Sequence, residues 1–112
     1  MKFGLKPETI TKINSVFIKH SEVEEVIIYG SRAKGNYRNG SDIDITLIGK
    51  KLTDQIRSKI YWDIDDLNMP YLFDISIFNQ LKSSDLEEHI NRVGKIFYSK
   101  KILQENHSST NL

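Results

Sequence analysis

Residues 30–45, GSRAKGNYRNGSDIDI, decide how this chain is read. A glycine-serine turn opens the stretch, and Asp42 and Asp44 close it. Side chains at i and i+2 of a strand share a face, so the two aspartates point the same way if they lie on one. Their neighbours predict a strand. Ile43-Asp44-Ile45-Thr46-Leu47-Ile48 alternates apolar and polar at first and stops at Gly49. Upstream, Val26-Ile27-Ile28-Tyr29 is a β-branched and aromatic run that ends at Gly30, the pattern of a buried strand. The quoted stretch is therefore a turn that joins two strands and leads into a pair of acids.

The rest of the chain supplies the frame. Pro7 suits the first turn of a helix, where its missing N–H costs nothing. Ile10, Ile13, Val16 and Phe17 follow at helical spacing, which predicts a helix over Pro7–Lys19. Ser21 to Glu25 is polar and turns the chain. Beyond the second strand, Thr53 can cap a helix whose apolar stripe is Ile56, Ile60, Ile64 and Leu67, and Pro70 closes it. Tyr71 to Phe78, YLFDISIF, reads as a third strand with Asp74 in its middle. Ser84 is expected to cap a last helix that turns Leu86 and Ile90 inward and ends near Gly94. Ile96-Phe97-Tyr98 is a candidate edge strand. The final residues, QENHSSTNL from Gln104, carry no apolar pattern and are expected to be a disordered tail. The fold class is thus α/β or α+β: one small mixed sheet flanked by helices, in a single domain over residues 1–103.

Composition narrows the function. The chain has 112 residues, 16 basic and 15 acidic, for a net charge of +1. That balance predicts no general attraction to nucleic acid or to an anionic membrane. There are no cysteines, which rules out disulfides and thiolate metal sites. No apolar run has the length of a signal peptide or a membrane span, so a cytoplasmic location is expected. His20, His89 and His107 show no ligand spacing, and His89 is expected at a surface or interface.

Asp42 and Asp44 alone would read as a turn residue and a solvated edge position. Asp74 changes this. It sits between Phe73 and Ile75, with no basic residue close by in sequence, and a mid-strand acid wants a metal or a partner. If the second and third strands are neighbours, Asp74 joins the pair. Two like charges about 4 Å apart repel by about 4 kcal/mol at an effective dielectric of about 20, so something must offset three carboxylates. Magnesium is the natural candidate, because it takes hard oxygen ligands and keeps positions open for phosphate. By contrast, Asp63, Asp65 and Asp66 lie at a helix end and read as a solvated face. The turn complements the acids. A helical turn opening at Ser31 aims free N–H groups outward, Gly30 lets backbone approach a phosphate, and Gly35 permits a sharp exit. Arg32, Lys34 and Arg38 are basic candidates for phosphate contact, and Tyr37 can pack over a base or over the sheet.

Together these residues resemble a known family. Gly30-Ser31, Ala33, Gly35, then Ser41-Asp42 and Asp44, followed by a lone Asp74 on a later strand, is similar to the signature of the DNA polymerase beta-like nucleotidyltransferase superfamily. No motif position departs from it. The small size, and more softly the segment LEEHINRVGKIFY, resemble the minimal nucleotidyltransferase (MNT) antitoxins paired with HEPN toxins. The resemblance implies catalytic carboxylates at Asp42, Asp44 and Asp74, with two magnesium ions held by the same three residues. It implies a nucleotide site at Gly30, Ser31, Arg32, Gly35 and Ser41. It further implies ATP as substrate and transfer of AMP to a hydroxyl, expected to be tyrosine, on a cognate HEPN toxin ribonuclease. With no room for an acceptor domain, the acceptor is expected to dock on the catalytic face. Two other readings stay open here: an antitoxin that neutralises by binding alone, and a transferase acting on a small molecule such as an aminoglycoside.

Overall fold

The computed structural model describes residues 1–101. Its elements run α1 (Pro7–Lys19), β1 (Glu25–Tyr29), α2 (Gly30–Lys34), β2 (Ile43–Ile48), α3 (Asp54–Asp65), β3 (Phe73–Ile77), α4 (Ser84–Val93) and β4 (Lys95–Ser99), with a single 3-10 turn at Phe78–Gln80. The strands form one sheet in the order β3-β2-β1-β4. β2 and β3 are parallel, while β1 runs antiparallel to both β2 and β4. The sheet is therefore mixed, as expected, and β4 is an edge strand.

Alternation along the strands sorts the sheet into two faces. Val26, Ile28, Ile43, Ile45 and Leu47 are all fully buried, and Ile75 and Ile77 nearly so. They face the core with Ile13, Val16 and Phe17 of α1 and Ile60 and Ile64 of α3. Phe17 meets Phe97 edge-on and Tyr98 at a tilt, which ties α1 to β4. α4 lies on the opposite face. Its Ile90 is buried, and a Cβ added at Gly94, just beyond the helix, would press on Ile27 of β1. That face also carries Asp44 and Asp74, and α4 covers only part of it.

Several boundaries differ from the sequence reading, each for a local reason. α4 is capped by Ser83, whose Oγ accepts from the Leu86 amide at 3.2 Å, so Ser84 is the first helical residue. Two adjacent serines offer the same chemistry, and only backbone geometry chooses between them. β3 is shorter than Tyr71–Phe78 because Phe78 enters the 3-10 turn. α3 ends at Asp65, and Leu67 packs on the core from beyond the helix. Asp63 is not merely solvated: its Oδ2 lies 2.7 Å from His20 Nε2, joining the end of α1 to α3. The expected disordered tail from Gln104 lies outside the described residues, as do the last two residues of the expected domain.

Candidate active site

Strand register brings the acids together. Asp44 pairs with Asp74 across the parallel β2–β3 ladder and with Tyr29 across the antiparallel β1–β2 ladder. Tyr29, Asp44 and Asp74 therefore form one row on one face. Thr46 and Ser76 pair one step further along β2 and β3 on the same face, and Ser76 Oγ donates to Thr46 Oγ1 at 2.9 Å. Asp42 precedes Ile43 by one residue and sits at the mouth of β2. The Ile43 amide donates to the Leu72 carbonyl at 2.9 Å, which holds that mouth against the approach to β3.

The electrostatics follow from this crowding. Asp44 is half-buried, and burial is the largest cause that raises its carboxyl pKa above the ordinary value. The charges of Asp74 and then Asp42 raise it further, and His89 opposes them. The Tyr29 phenol is also pushed up, first by burial and then by Asp74. The Ser76 hydroxyl pulls the other way. Among the described residues, none of the three aspartates makes an ion pair. Nor is any group of three or more His, Cys, Asp or Glu arranged to hold a metal by itself. Carboxylates without a basic partner are the hard oxygen donors magnesium takes, and that ion binds through one or two carboxylates plus phosphate oxygens. Hard oxygen donors that repel one another and lack a basic partner fit such an ion.

The turn sits against the acids. Gly30 has φ +72°, and a Cβ there would collide with Asp44 Oδ2. Only glycine lets β1 pass so close to the carboxylate. Ser31 follows in the first turn of α2, half-buried. Gly35 ends α2 in the left-handed region at φ +89°, its amide donating to Ser31 O at 2.9 Å.

Other candidates are placed differently. Arg32 is not an exposed basic side chain: only 3% of its surface is accessible. Its Nε and Nη2 both donate to the Ser41 carbonyl, at 3.1 and 2.9 Å, and its Nη1 donates to the Phe3 carbonyl at 2.9 Å. The rings of Tyr37 and Tyr71 lie 5.5 and 5.0 Å from its guanidinium carbon. Ser41 Oγ accepts from the Arg38 amide at 2.8 Å and so closes the loop. Tyr37 covers Gly4, where a Cβ would meet its ring. Lys34 and Arg38 are exposed.

Two residues escaped the sequence reading. Tyr29 reads as the last core residue of β1, and only register puts it beside Asp44. His89 lies 6.2 Å from the Tyr29 ring, edge to face, at the margin of the acid row. Nothing in its own segment signals that position. The signal that could have found Thr46 and Ser76 is their spacing, since each follows an aspartate by two residues on its strand. A partly open pocket lined by Tyr61, Ile64, Met69 and Phe73 lies on the α3 side of β3 and is not part of this site.

The family model described as polymerase beta, nucleotidyltransferase matches residues 11–103. The chain belongs to the polymerase beta nucleotidyltransferase family. No curated protein matches it. Solved structures share the fold at low identity. One is a toxin–antitoxin complex with AMP-PNP, at 17% identity and TM-score 0.67, covering 90% of this chain and 82% of that one. Another is a tri-AMPylated Shewanella oneidensis HEPN toxin in complex with MNT antitoxin, at 16% identity and TM-score 0.64, covering 90% and 78%. A third is the MntA–HepT toxin–antitoxin complex, at 15% identity and TM-score 0.63, covering 94% and 82%. This nucleotidyltransferase thus carries its acid row and glycine turn on a fold shared with antitoxin complexes.

Proposed function

We propose that this nucleotidyltransferase moves AMP from ATP to a tyrosine hydroxyl of a cognate HEPN toxin ribonuclease, with magnesium, and so acts as its antitoxin. The observation that carries this reading is the row of Asp44 and Asp74, with Asp42 at its mouth, beside a turn that only glycine can form. The fold shared with a complex that contains an AMPylated toxin supports the choice of acceptor.

The residues divide the work by position. Gly30 and Ser31 receive the triphosphate, Gly35 shapes the exit of the turn, and Ser41 closes the loop behind it. Asp42, Asp44 and Asp74 would hold the two magnesium ions. When bound, the ions neutralise the triphosphate and polarise the α-phosphate for in-line displacement. Asp74 orients the acceptor hydroxyl and draws off its proton as the new O–P bond forms. The bond from the α-phosphorus to the bridging oxygen breaks, and pyrophosphate leaves. Arg32 serves from behind, through the loop that carries Ser41.

The test is transfer of label from α-labelled ATP, with magnesium, to proteins of a native host lysate. Purified wild type is compared with the Asp42→Ala, Asp44→Ala double variant. A labelled band that needs both aspartates, and that proves to be a HEPN protein, is the expected result. Label entering RNA or a small molecule would overturn the acceptor and keep the enzyme class. No transfer, with the partner still bound, would leave neutralisation by binding as the better account.

A further inference from the structure

We propose that Arg32 is a positioning residue that sets the metal-binding carboxylate Asp42, acting through the Ser41–Asp42 peptide. The inference rests on the reading of Asp42 as a metal ligand. The loop between α2 and β2 has few anchors of its own. Residues 34–40 are all exposed, and Gly35 and Gly40 both take positive φ. Yet this loop must deliver Asp42 to the acid row in a fixed orientation.

Arg32 supplies the missing constraint. Two of its donors grip one acceptor, the Ser41 carbonyl. That carbonyl belongs to the peptide whose nitrogen is Asp42's own. A planar peptide held at its oxygen places the Asp42 nitrogen, and the Ile43 amide bonded to Leu72 O holds the other side of Asp42. The third donor reaches Phe3, so the clamp is bolted to the N-terminal segment as well as to α2. Phe3 is itself fixed, with its ring 5.9 Å from Phe97 of β4. The guanidinium is planar, and the Tyr37 and Tyr71 rings lie against it. Tyr71 leads into β3, which carries Asp74. One buried cation therefore links the N-terminal segment, the glycine turn, the loop and the approach to the third acid. Lysine cannot replace it, because an ammonium offers no planar fork for the shared carbonyl and no flat face for the rings.

This role has readouts that general stability lacks. Residue-resolved amide hydrogen exchange reports the clamp without any metal. In Arg32→Lys, the Ile43 amide, bonded to Leu72 O beside the clamped peptide, is expected to exchange about tenfold faster, while Leu47 deeper in β2 is unchanged. Binding of Mn²⁺, followed by the EPR signal of the free ion, reports the carboxylates without turnover. Arg32→Lys is expected to bind Mn²⁺ about tenfold more weakly than wild type, the scale of losing a group that orients a ligand. Tyr37→Leu, which removes one ring and keeps the hydrogen bonds, is expected to shift both readouts in the same direction by about threefold.

The proposal is overturned if Arg32→Lys loses thermal stability while its Ile43 exchange and Mn²⁺ affinity match wild type. If Arg32→Lys does not fold, Tyr37→Leu decides in the same way. Should wild type bind no Mn²⁺ at all, the metal reading of the acids fails, and Ile43 exchange alone then decides the clamp.

Discussion

Asp44 is the residue on which stability and chemistry pull apart. Burial and two neighbouring acids raise its pKa in the metal-free fold. The unfolded chain ionises it at the ordinary value, so the fold is favoured while Asp44 is protonated. That contribution is complete below the ordinary value and is lost as pH rises through the raised one. At neutral pH the metal-free protein carries the deficit. Asp44→Asn is expected to remove it and raise the melting temperature at pH 7. With the site half-exposed and screened, the gain is on the order of 0.5 kcal/mol, or about 2–4 °C. The gain should vanish near pH 3, where wild type is protonated too. Magnesium should stabilise wild type and not the variant. Transfer by Asp44→Asn should fall by about 100- to 1,000-fold, the scale of losing one electrostatic group at a reaction centre. Thermal scans with and without magnesium, beside a label-transfer assay, check all three. Gly30→Ala is the steric counterpart. Its Cβ meets Asp44 Oδ2, and positive φ costs alanine about 1–2 kcal/mol, so denaturant midpoint and transfer should both drop.

At the scale of elements, two helices with similar caps have different weight. Thr53 Oγ1 accepts from the Ile56 amide at 3.2 Å, and Ser83 Oγ caps α4 at the same distance. α3 buries Ile60 and Ile64 in the core, whereas α4 buries only Ile90, on the acid face. Thr53→Ala is expected to cost about 1 kcal/mol of global stability in urea unfolding. Ser83→Ala should instead fray α4 locally, with faster amide exchange at its first turn and a smaller change in midpoint. The sheet elements explain the site. Parallel pairing of β2 with β3 sets Asp74 level with Asp44, and a slip of one residue would turn it into the core.

At the scale of the molecule, one core supports everything. Phe17 is fully buried and touches Phe97 and Tyr98, so α1 and β4 depend on it together. Phe17→Ala is expected to cost about 3–5 kcal/mol, a large share of a small domain's stability, in a single cooperative transition. Asp63→Ala breaks the 2.7 Å contact with His20, whose side chain is 11% exposed. The expected loss is about 1.5–3 kcal/mol, the range for a hydrogen bond to a charged group. Urea unfolding measures both. Neither substitution touches the acid face, so Mn²⁺ affinity of the folded fraction should stay at the wild-type value.

The glycine turn, the three acids and the strands beneath them were legible in the sequence. Their signals are local: i and i+2 alternation, an apolar run ended by glycine, and an acid where a strand should be apolar. The pairing of Asp44 with Asp74 was legible only as a condition, since a strand does not name its neighbour. Arg32 shows the limit most clearly. A basic residue after a glycine-serine turn reads as a solvated phosphate contact, and in the fold it is a buried clamp. Its partners, the carbonyls of Phe3 and Ser41 and the rings of Tyr37 and Tyr71, are backbone groups and common aromatics without a sequence signature. Tyr29 and His89 reach the acids by register and by helix packing in the same way. Local chemistry and periodicity are written residue by residue, so the sequence alone determined the elements and the acids and glycines they carry. Long-range contacts depend on how those elements pack, so only the tertiary structure decided which groups meet and which side chain holds the acid loop in place.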